Sequence, residues 1–411
     1  MLNDISYRDY RRSSDIHGTV LYPAVMVAPV QNDILADLSK QNKAINRIFD
    51  PFHGSGTALY ESHRVFPEAE ILGCDINPFA NLITRAKLIG VAPNIEDDID
   101  YISRLLEGDY TGSIYEFPNR KKWFRDDIAL SLTRIREAIL TISAPENRIF
   151  FWCMMSDVVR RYSNTRSSTY KLHMKPTQKI NEMPNGVIAD FLRSIRTNFH
   201  QYEAVHCNNF RLFKQDALTC LPQFKSDNKV DVLITSPPYG DNQTTVPYGL
   251  FSSLALRWID PNDLDLEGWE FDSYSVIDSH SLGSYSKDYS LNSFQKDLLR
   301  PFISNISEQK SKKVNTFFYD FFRFLDLSVE ATDKFIVTTV GNRTVDRVKI
   351  DLAHITACYL QAKGFAEHQT VSRDILNKRT PPLTSKVKNA PVESMGREYV
   401  LIYKKLTYKQ E

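Results

Sequence analysis

An α/β fold with a mostly parallel sheet is what this sequence predicts, on three observations. Val230-Asp231-Val232-Leu233-Ile234 is a short apolar run of the kind a buried parallel strand shows, and it ends in the proline-locked stretch Thr235-Ser236-Pro237-Pro238-Tyr239-Gly240. Arg47-Ile48-Phe49-Asp50 leads into Pro51-Phe52-His53-Gly54-Ser55-Gly56-Thr57, a glycine-containing turn that opens a helix. Glu70-Ile71-Leu72-Gly73-Cys74-Asp75 is a further short strand, ending in an acid. Strands that end in loops and alternate with helices make a Rossmann-type sheet, and such sheets bind ligands at the carboxyl ends of their strands.

Taken in order, residues 1–20 are polar, and Leu21–Val30 is apolar but broken by Pro23 and Pro29, so it reads as an extended segment or a pocket-lining loop. A helix is expected from about Asn32 to Gln41. In the turn after Asp50, Gly54 and Gly56 allow close backbone approach, and the helix opening at Thr57 offers free N–H groups. The turn lacks the third glycine of a dinucleotide site, and Asp50 disfavours a pyrophosphate. An acid there suits a cation, such as an amino-acid ammonium. Asp75 lies where a nucleoside-binding sheet places the acid for the ribose hydroxyls, or it caps the helix that begins at Asn77-Pro78. Residues 91–205 read as mostly helical, with helical spacing in Ile128–Ile142 and Arg148–Val159. Arg160–His200 is basic, and Tyr162–His173 within it is rich in hydroxyls and lacks helical periodicity. Arg160, Arg161, Asn164, Arg166, Lys171 and Lys175 are side chains of the types that contact phosphates and base edges.

Leu212-Phe213-Lys214-Gln215-Asp216-Ala217 repeats the strand-then-acid unit before the proline loop. In that loop the two prolines fix the backbone and leave the Ser236 and Pro237 carbonyls free, while Tyr239 offers a ring for stacking. Such a loop suits a planar substrate that carries an amino group. Asp241–Gly249 extends it as a candidate lid. Asp260, Asp263, Asp265, Glu267, Glu270, Asp272 and Asp278 follow with no basic partner nearby in sequence, so that insertion is expected to repel a phosphate backbone and to act as a buttress or partner surface. An aromatic helix is expected over Asn315–Val329, a strand over Phe335–Asn342, a helix over Ile350–Ala362 and a closing strand over Tyr399–Tyr403. Arg373–Lys388 is basic and interrupted by proline, a second candidate loop for contact with phosphates.

A ligand with an ammonium, a ribose and an adenine is S-adenosylmethionine. Asp50-Pro51-Phe52-His53-Gly54-Ser55-Gly56-Thr57 resembles the cofactor motif of the amino-directed DNA methyltransferases, and Ser236-Pro237-Pro238-Tyr239 resembles their catalytic motif in its SPPY form. Leu21–Val30, with Pro23, resembles the family's additional N-terminal cofactor motif. The resemblance covers roughly residues 15–90 and 205–260, with a looser match over 334–371. It implies a Rossmann-like S-adenosylmethionine-dependent methyltransferase with a mostly parallel seven-stranded sheet and inserted helical and loop regions. It also implies that Pro23, Asp50, Pro51, Phe52, Gly54, Ser55, Gly56, Thr57, Asp75, Ile76, Asn77, Asp216 and Ala217 bind the cofactor, with Asp216 and Ala217 beside the adenine. Ser236, Pro237, Pro238 and Tyr239 would then be catalytic, acting on a base flipped out of double-stranded DNA. Five segments are expected: 1–90, the cofactor half of the core; 91–205, a helical, partly basic insertion for target recognition; 206–259, the catalytic half; 260–330, an acidic then helical insertion; and 331–411, the end of the core.

The SPPY form leans towards the N4 amine of cytosine, with the N6 amine of adenine as the alternative. Carbon-5 chemistry needs a thiolate, and no Pro-Cys pair occurs in the chain. A DNA- or RNA-binding protein of the same fold without transfer activity is the reading from another class. The expected setting is the modification half of a restriction–modification system, with a separate endonuclease acting on the same site. The 411 residues carry a net charge of +1, so any nucleic-acid surface must be local. The five cysteines, Cys74, Cys153, Cys207, Cys220 and Cys358, show neither a metal-ligand spacing nor a disulfide framework. With no signal-peptide pattern and no membrane-length apolar run, a cytoplasmic protein is expected.

Overall fold

The computed structural model describes residues 7–41, 44–240, 246–269, 271, 273–280, 290–375, 383–387, 390–393 and 396–406. Seven strands form the central sheet: β1 (Arg47–Asp50), β2 (Glu70–Cys74), β3 (Phe210–Phe213), β4 (Val230–Thr235), β5 (Thr332–Gly341), β6 (Phe365–Asp374) and β7 (Arg397–Lys405). Their spatial order is β3-β2-β1-β4-β5-β7-β6. The pairs β1–β2, β2–β3, β1–β4 and β4–β5 are parallel, and only β7 runs against its neighbours. This is a Rossmann-like methyltransferase sheet. The strand order reverses between β1 and β4, which opens the crevice at the carboxyl ends of those two strands.

Helices cover both faces. α1 (Ala28–Gln41) and α2 (Thr57–Val65) pack together, and α3 (Pro78–Ile89) leads into the inserted helices α4 (Ile95–Glu107), α5 (Asp126–Leu140), α6 (Pro145–Tyr162) and α7 (Val187–Asn198). α1 begins four residues earlier than the sequence suggests. Pro29 falls in its first turn, where the missing N–H has no helical partner to lose. α8 (Tyr248–Leu256) follows the proline loop, and of the lid expected over Asp241–Gly249, residues 241–245 lie outside the described residues. α9 (Ser293–Ile303) and α10 (Glu308–Ala331) precede β5, and α11 (Leu352–Ala362) precedes β6. Phe317, Phe318, Phe321, Phe322 and Phe324 of α10 are buried against the sheet, each ring contributing roughly 1.5–3 kcal/mol.

The stretch Arg373–Lys388 is not one loop. β6 carries it to Asp374, and Leu383–Val387 pairs antiparallel with Ala390–Glu393. Three acids of the insertion do have basic partners, which the fold supplies from elsewhere. Asp260 pairs with Arg136, Asp263 with Arg148 and with the Trp152 indole, and Asp265 with Lys214. Sequence proximity hid these pairs, whose members lie 51 to 124 residues apart. The segment is therefore a buttress, bound to α5 and α6. No described helix is long and apolar enough to cross a membrane.

Candidate functional site

β1 ends in Asp50, which is fully buried. Its Oδ1 accepts hydrogen bonds from Thr235 Oγ1 at 2.6 Å and from the Phe52 amide at 3.0 Å. Thr235 is the last residue of β4, so this bond joins the two strands that flank the crevice. Asp50 Oδ2 is buried and has no partner among the described residues. Burial raises the carboxyl pKa to about 7, against the lowering effect of its two hydrogen bonds. A buried acceptor of this kind is costly until a donor meets it, and a cation is the donor that also restores the charge.

The turn after Asp50 is fixed from several sides. Gly54 and Gly56 have φ of +51° and +73°, the left-handed region. A Cβ on Gly56 would stand 2.5 Å from Thr84 Oγ1, so the backbone there fits glycine alone. The Ser55 carbonyl accepts from Lys87 Nζ at 2.7 Å. Thr57 is buried at the start of α2, with its hydroxyl unpartnered among the described residues. His53 is buried too. It touches the Gly54 carbonyl and Asn81, and burial lowers its pKa, so it supports the turn as a neutral ring.

Asp75 ties this turn to the next strand end. Its Oδ2 accepts from the Gly54 amide at 3.0 Å and its Oδ1 from the Asn77 amide at 2.8 Å. The cap of α3 is Asn77, not Asp75, because the Asn77 side chain accepts from the Phe79 amide. Asn77 Nδ2 also donates to Ser252 Oγ at 2.8 Å and Tyr22 Oη at 3.3 Å. Tyr22, beside the buried Pro23, stacks on Tyr248 at 5.8 Å, and a Cβ on Gly54 would touch its ring. The N-terminal segment thus reaches the glycine turn. The Ile76 carbonyl accepts from the Trp269 indole at 2.9 Å, so the acidic buttress also supports this corner. Pro51 is buried, and Phe52 packs edge-on against Phe324. At the end of β3, Asp216 caps the short helix Ala217–Cys220 through the Leu218 amide, and burial raises its pKa.

Across the crevice, Ser236 Oγ lies 2.9 Å from Tyr239 Oη. Pro237 is buried; Pro238 and Tyr239 are half-buried. Burial holds the Tyr239 phenol protonated well above its ordinary range. Phe49 of β1 pairs with Leu233 of β4, so Asp50 and Ser236 leave the sheet side by side.

Within the basic stretch, between α6 and α7, residues 165–174 fold back on themselves and are closed by a Thr165–Met174 bridge. Three of the stretch's predicted contact residues turn inward. Asn164 is buried and donates to the Lys122 carbonyl, Lys175 donates to the Ser163 carbonyl, and Arg160 donates to the Thr169 carbonyl while lying over the Phe251 ring. Arg161, Arg166 and Lys171 are exposed, Arg161 in an ion pair with Asp190. Tyr170 packs edge-on against Phe251, which joins this segment to α8 behind the proline loop.

Several contributors escaped sequence reasoning. Thr84, Ser252 and Lys87 are single residues without a motif, and Tyr22 lies in the Leu21–Val30 segment without having been singled out. Lys87 is fully buried, close to His17, which in turn meets the buried Glu61. Its place on the apolar face of α3, in line with Ile83 and Ala80, was the available signal.

No family model matches the chain. The chain is similar to the Type II methyltransferase M.MvaI of Kocuria varians, with 27% identity over 416 residues that span 93% of this chain and 88% of the relative. Sheet order, glycine turn and this similarity agree on a Rossmann-like methyltransferase fold.

Proposed function

We propose that this protein is a site-specific DNA methyltransferase that moves a methyl group from S-adenosylmethionine to the exocyclic N4 amine of a cytosine flipped out of double-stranded DNA. The observation that carries the reading is the buried Asp50 Oδ2, without a partner among the described residues, at the switch point and one strand away from Ser236-Pro237-Pro238-Tyr239. Similarity to a protein named a Type II methyltransferase supports the DNA-methyltransferase part of this reading; the setting we propose is the modification half of a restriction–modification system, with a separate endonuclease acting on the same site.

The residues present fit the cofactor. Asp50 would hold the ammonium, and the turn through Gly54 and Gly56 would let the ligand approach the backbone. Asp75 would take the ribose hydroxyls, since each of its oxygens accepts one amide and keeps a lone pair. Asp216 and Ala217 would flank the adenine. When bound, the cofactor supplies a sulfonium methyl as the electrophile.

The chain's own residues do the rest by alignment. An aromatic exocyclic amine is a poor nucleophile because its lone pair is delocalised into the ring. Hydrogen bonds from the amine to Ser236 Oγ and the Pro237 carbonyl draw the nitrogen towards tetrahedral geometry and expose that lone pair. A Ser236 hydroxyl that donates to Tyr239 Oη keeps both lone pairs for the amine. The Tyr239 ring supports the flipped base, and the prolines keep the carbonyls aimed. The proton leaves after transfer, so no strong general base is needed.

Genomic DNA incubated with the purified protein and labelled cofactor, then digested to nucleosides, tests this. N4-methylcytosine is the expected product. N6-methyladenine would keep the site and change the target base. Cofactor binding without any methylated nucleoside would favour a binding protein of the same fold, and no cofactor binding would overturn the proposal.

A further inference from the structure

After β5 the chain forms a tight hairpin, in which Arg343–Val345 pairs antiparallel with Val348–Ile350. Its position follows from the sheet. Thr338 pairs with Thr235 and β5 ends at Gly341, so Arg343 lies just past the carboxyl end of β5, within about 16 Å of the catalytic loop's origin at ~3.3 Å per residue. That distance is about five base pairs of duplex at 3.4 Å each. α10 ends where β5 begins, so its first turns lie at the same carboxyl edge. Asp346 fastens them there: Lys310 pairs with it, and the Ser307 hydroxyl donates to it at 2.6 Å.

The surface so assembled is locally basic in a chain of net charge +1. Lys310, Lys312, Lys313, Arg343, Arg347 and Lys349 stand against Glu308, Asp346 and Asp351, with Asp346 held inward. Lys312, Lys313, Arg347 and Lys349 are exposed. Arg343 lies over the Phe317 ring, which roots the hairpin on α10. The two residues of the hairpin tip, Asp346 and Arg347, have φ of +48° and +68°. A turn with both residues left-handed ordinarily takes Asn-Gly or Asp-Gly, because a long side chain is strained there. Strain of this kind persists where the surrounding structure over-determines it, and it clusters at ligand clamps and switch regions. A hairpin just past the carboxyl end of β5, with exposed cations on it and on the first turns of α10, fits one partner, the phosphate backbone of duplex DNA.

We propose that Lys312, Lys313, Arg347 and Lys349 form a phosphate-contacting arm, built on β5 and α10 rather than on the 91–205 insertion, that seats the duplex flanking the target base. The proposal rests on the DNA reading above. Its test is steady-state methylation of a duplex substrate over a salt series, with wild type, a K312A/K313A/R347A/K349A variant, R347G alone, and K404A as a charge control at the opposite end of the sheet. The expected result for the fourfold variant is a KM for duplex raised at least about tenfold, with kcat and cofactor affinity unchanged. Its dependence of log affinity on log salt should be shallower by about 0.9 for each phosphate the variant no longer neutralises. R347G should fold with an equal or higher Tm, because glycine relieves the turn, yet show a raised KM; K404A should match wild type. Duplex KM and salt slope equal to wild type in both arm variants would overturn the proposal while leaving the DNA reading intact. A wild-type protein that methylates no DNA would instead overturn the DNA reading, and this inference with it.

Discussion

The turn after β1 and the loop after β4 leave adjacent strands at the same crevice, and they are built in opposite ways. The first is held from outside itself: Asp75 grips the Gly54 amide, Thr84 backs Gly56, and Lys87 holds the Ser55 carbonyl. The second holds itself, through two prolines and the Ser236–Tyr239 contact, with the Asp50–Thr235 bond as its tie to the first. A backbone fixed by tertiary contacts would receive a cofactor at low reorganisation cost. A base must be swung in from a duplex, and a locally rigid loop keeps its carbonyls aimed while leaving an entry path. In the proposed function, Asp50 and Ser236 would divide the work between binding and turnover.

The largest effects come from breaking that division. Asp50→Asn removes the charge that would face the ammonium, and truncating one member of a buried charge pair costs ~2–5 kcal/mol. The expected outcome is a cofactor Kd raised by about 30-fold or more in calorimetry, with the fold intact. Ser236→Ala should do the reverse, lowering kcat by on the order of 10²-fold while cofactor Kd stays unchanged, the scale of losing one hydrogen bond made at the reacting group. A kcat effect confined to Asp50→Asn, or a Kd effect confined to Ser236→Ala, would break the comparison.

The pH response of Asp50 sharpens it. Its carboxyl sits at about 7 in the folded chain against ~4 when unfolded, raised by burial first and by the nearby Asp75 as a smaller effect. The native chain then holds the extra proton between those values, so this residue's contribution to stability is full at low pH and declines as pH rises from about 4 to 7, by on the order of 4 kcal/mol. Binding an ammonium requires the ionised form. Cofactor affinity should therefore rise about tenfold per pH unit below 7 and level off above it, and the Asp50→Asn variant should lose that slope.

Gly56→Ala probes the rigid side of the comparison. The new methyl would stand 2.5 Å from Thr84 Oγ1 at a φ of +73°. Left-handed strain of ~1–2 kcal/mol and overpacking of ~1–3 kcal/mol predict a clear fall in Tm. Thr84→Ala in the same chain should recover part of the packing cost and none of the strain, which a double-mutant cycle by thermal unfolding would read.

How much of this was legible in the sequence depended on whether the signal was local. β1, β2, β4 and the turn at Gly54 and Gly56 were readable because each is a short apolar run ending in residues of restricted conformation. α10 was readable from its phenylalanines, though its start at Glu308 was not, since the first two turns are polar and exposed. The roles of Tyr22 and Ser252 were invisible, because they depend on Asn77 finding both across 55 and 175 residues of chain. The acidic insertion was misread for the same reason. Its partners Arg136, Arg148 and Lys214 lie far away in sequence, and only the packing of α5 and α6 brings two of them within reach. In the basic stretch, composition alone could not separate the inward Asn164 and Lys175 from the exposed Arg166 and Lys171.

The smallest predicted effect belongs to that insertion. The Trp269 indole donates to the Ile76 carbonyl at 2.9 Å, next to the Asp75 carboxylate that grips the Gly54 amide. Trp269→Phe keeps an aromatic ring against Phe271 and Tyr274 but leaves that carbonyl without its donor. A net hydrogen bond is worth ~1 kcal/mol, so cofactor Kd should rise by a factor of about three to ten, with kcat unchanged. The Arg148–Asp263 pair offers the contrast, because it anchors the same insertion through α6 and not through the Asp75–Ile76 corner proposed to meet the cofactor. Arg148→Ala should lower Tm and leave Kd alone. If it raised Kd as much as Trp269→Phe, the insertion would act on the cofactor corner as a rigid body, and the indole would have no role of its own.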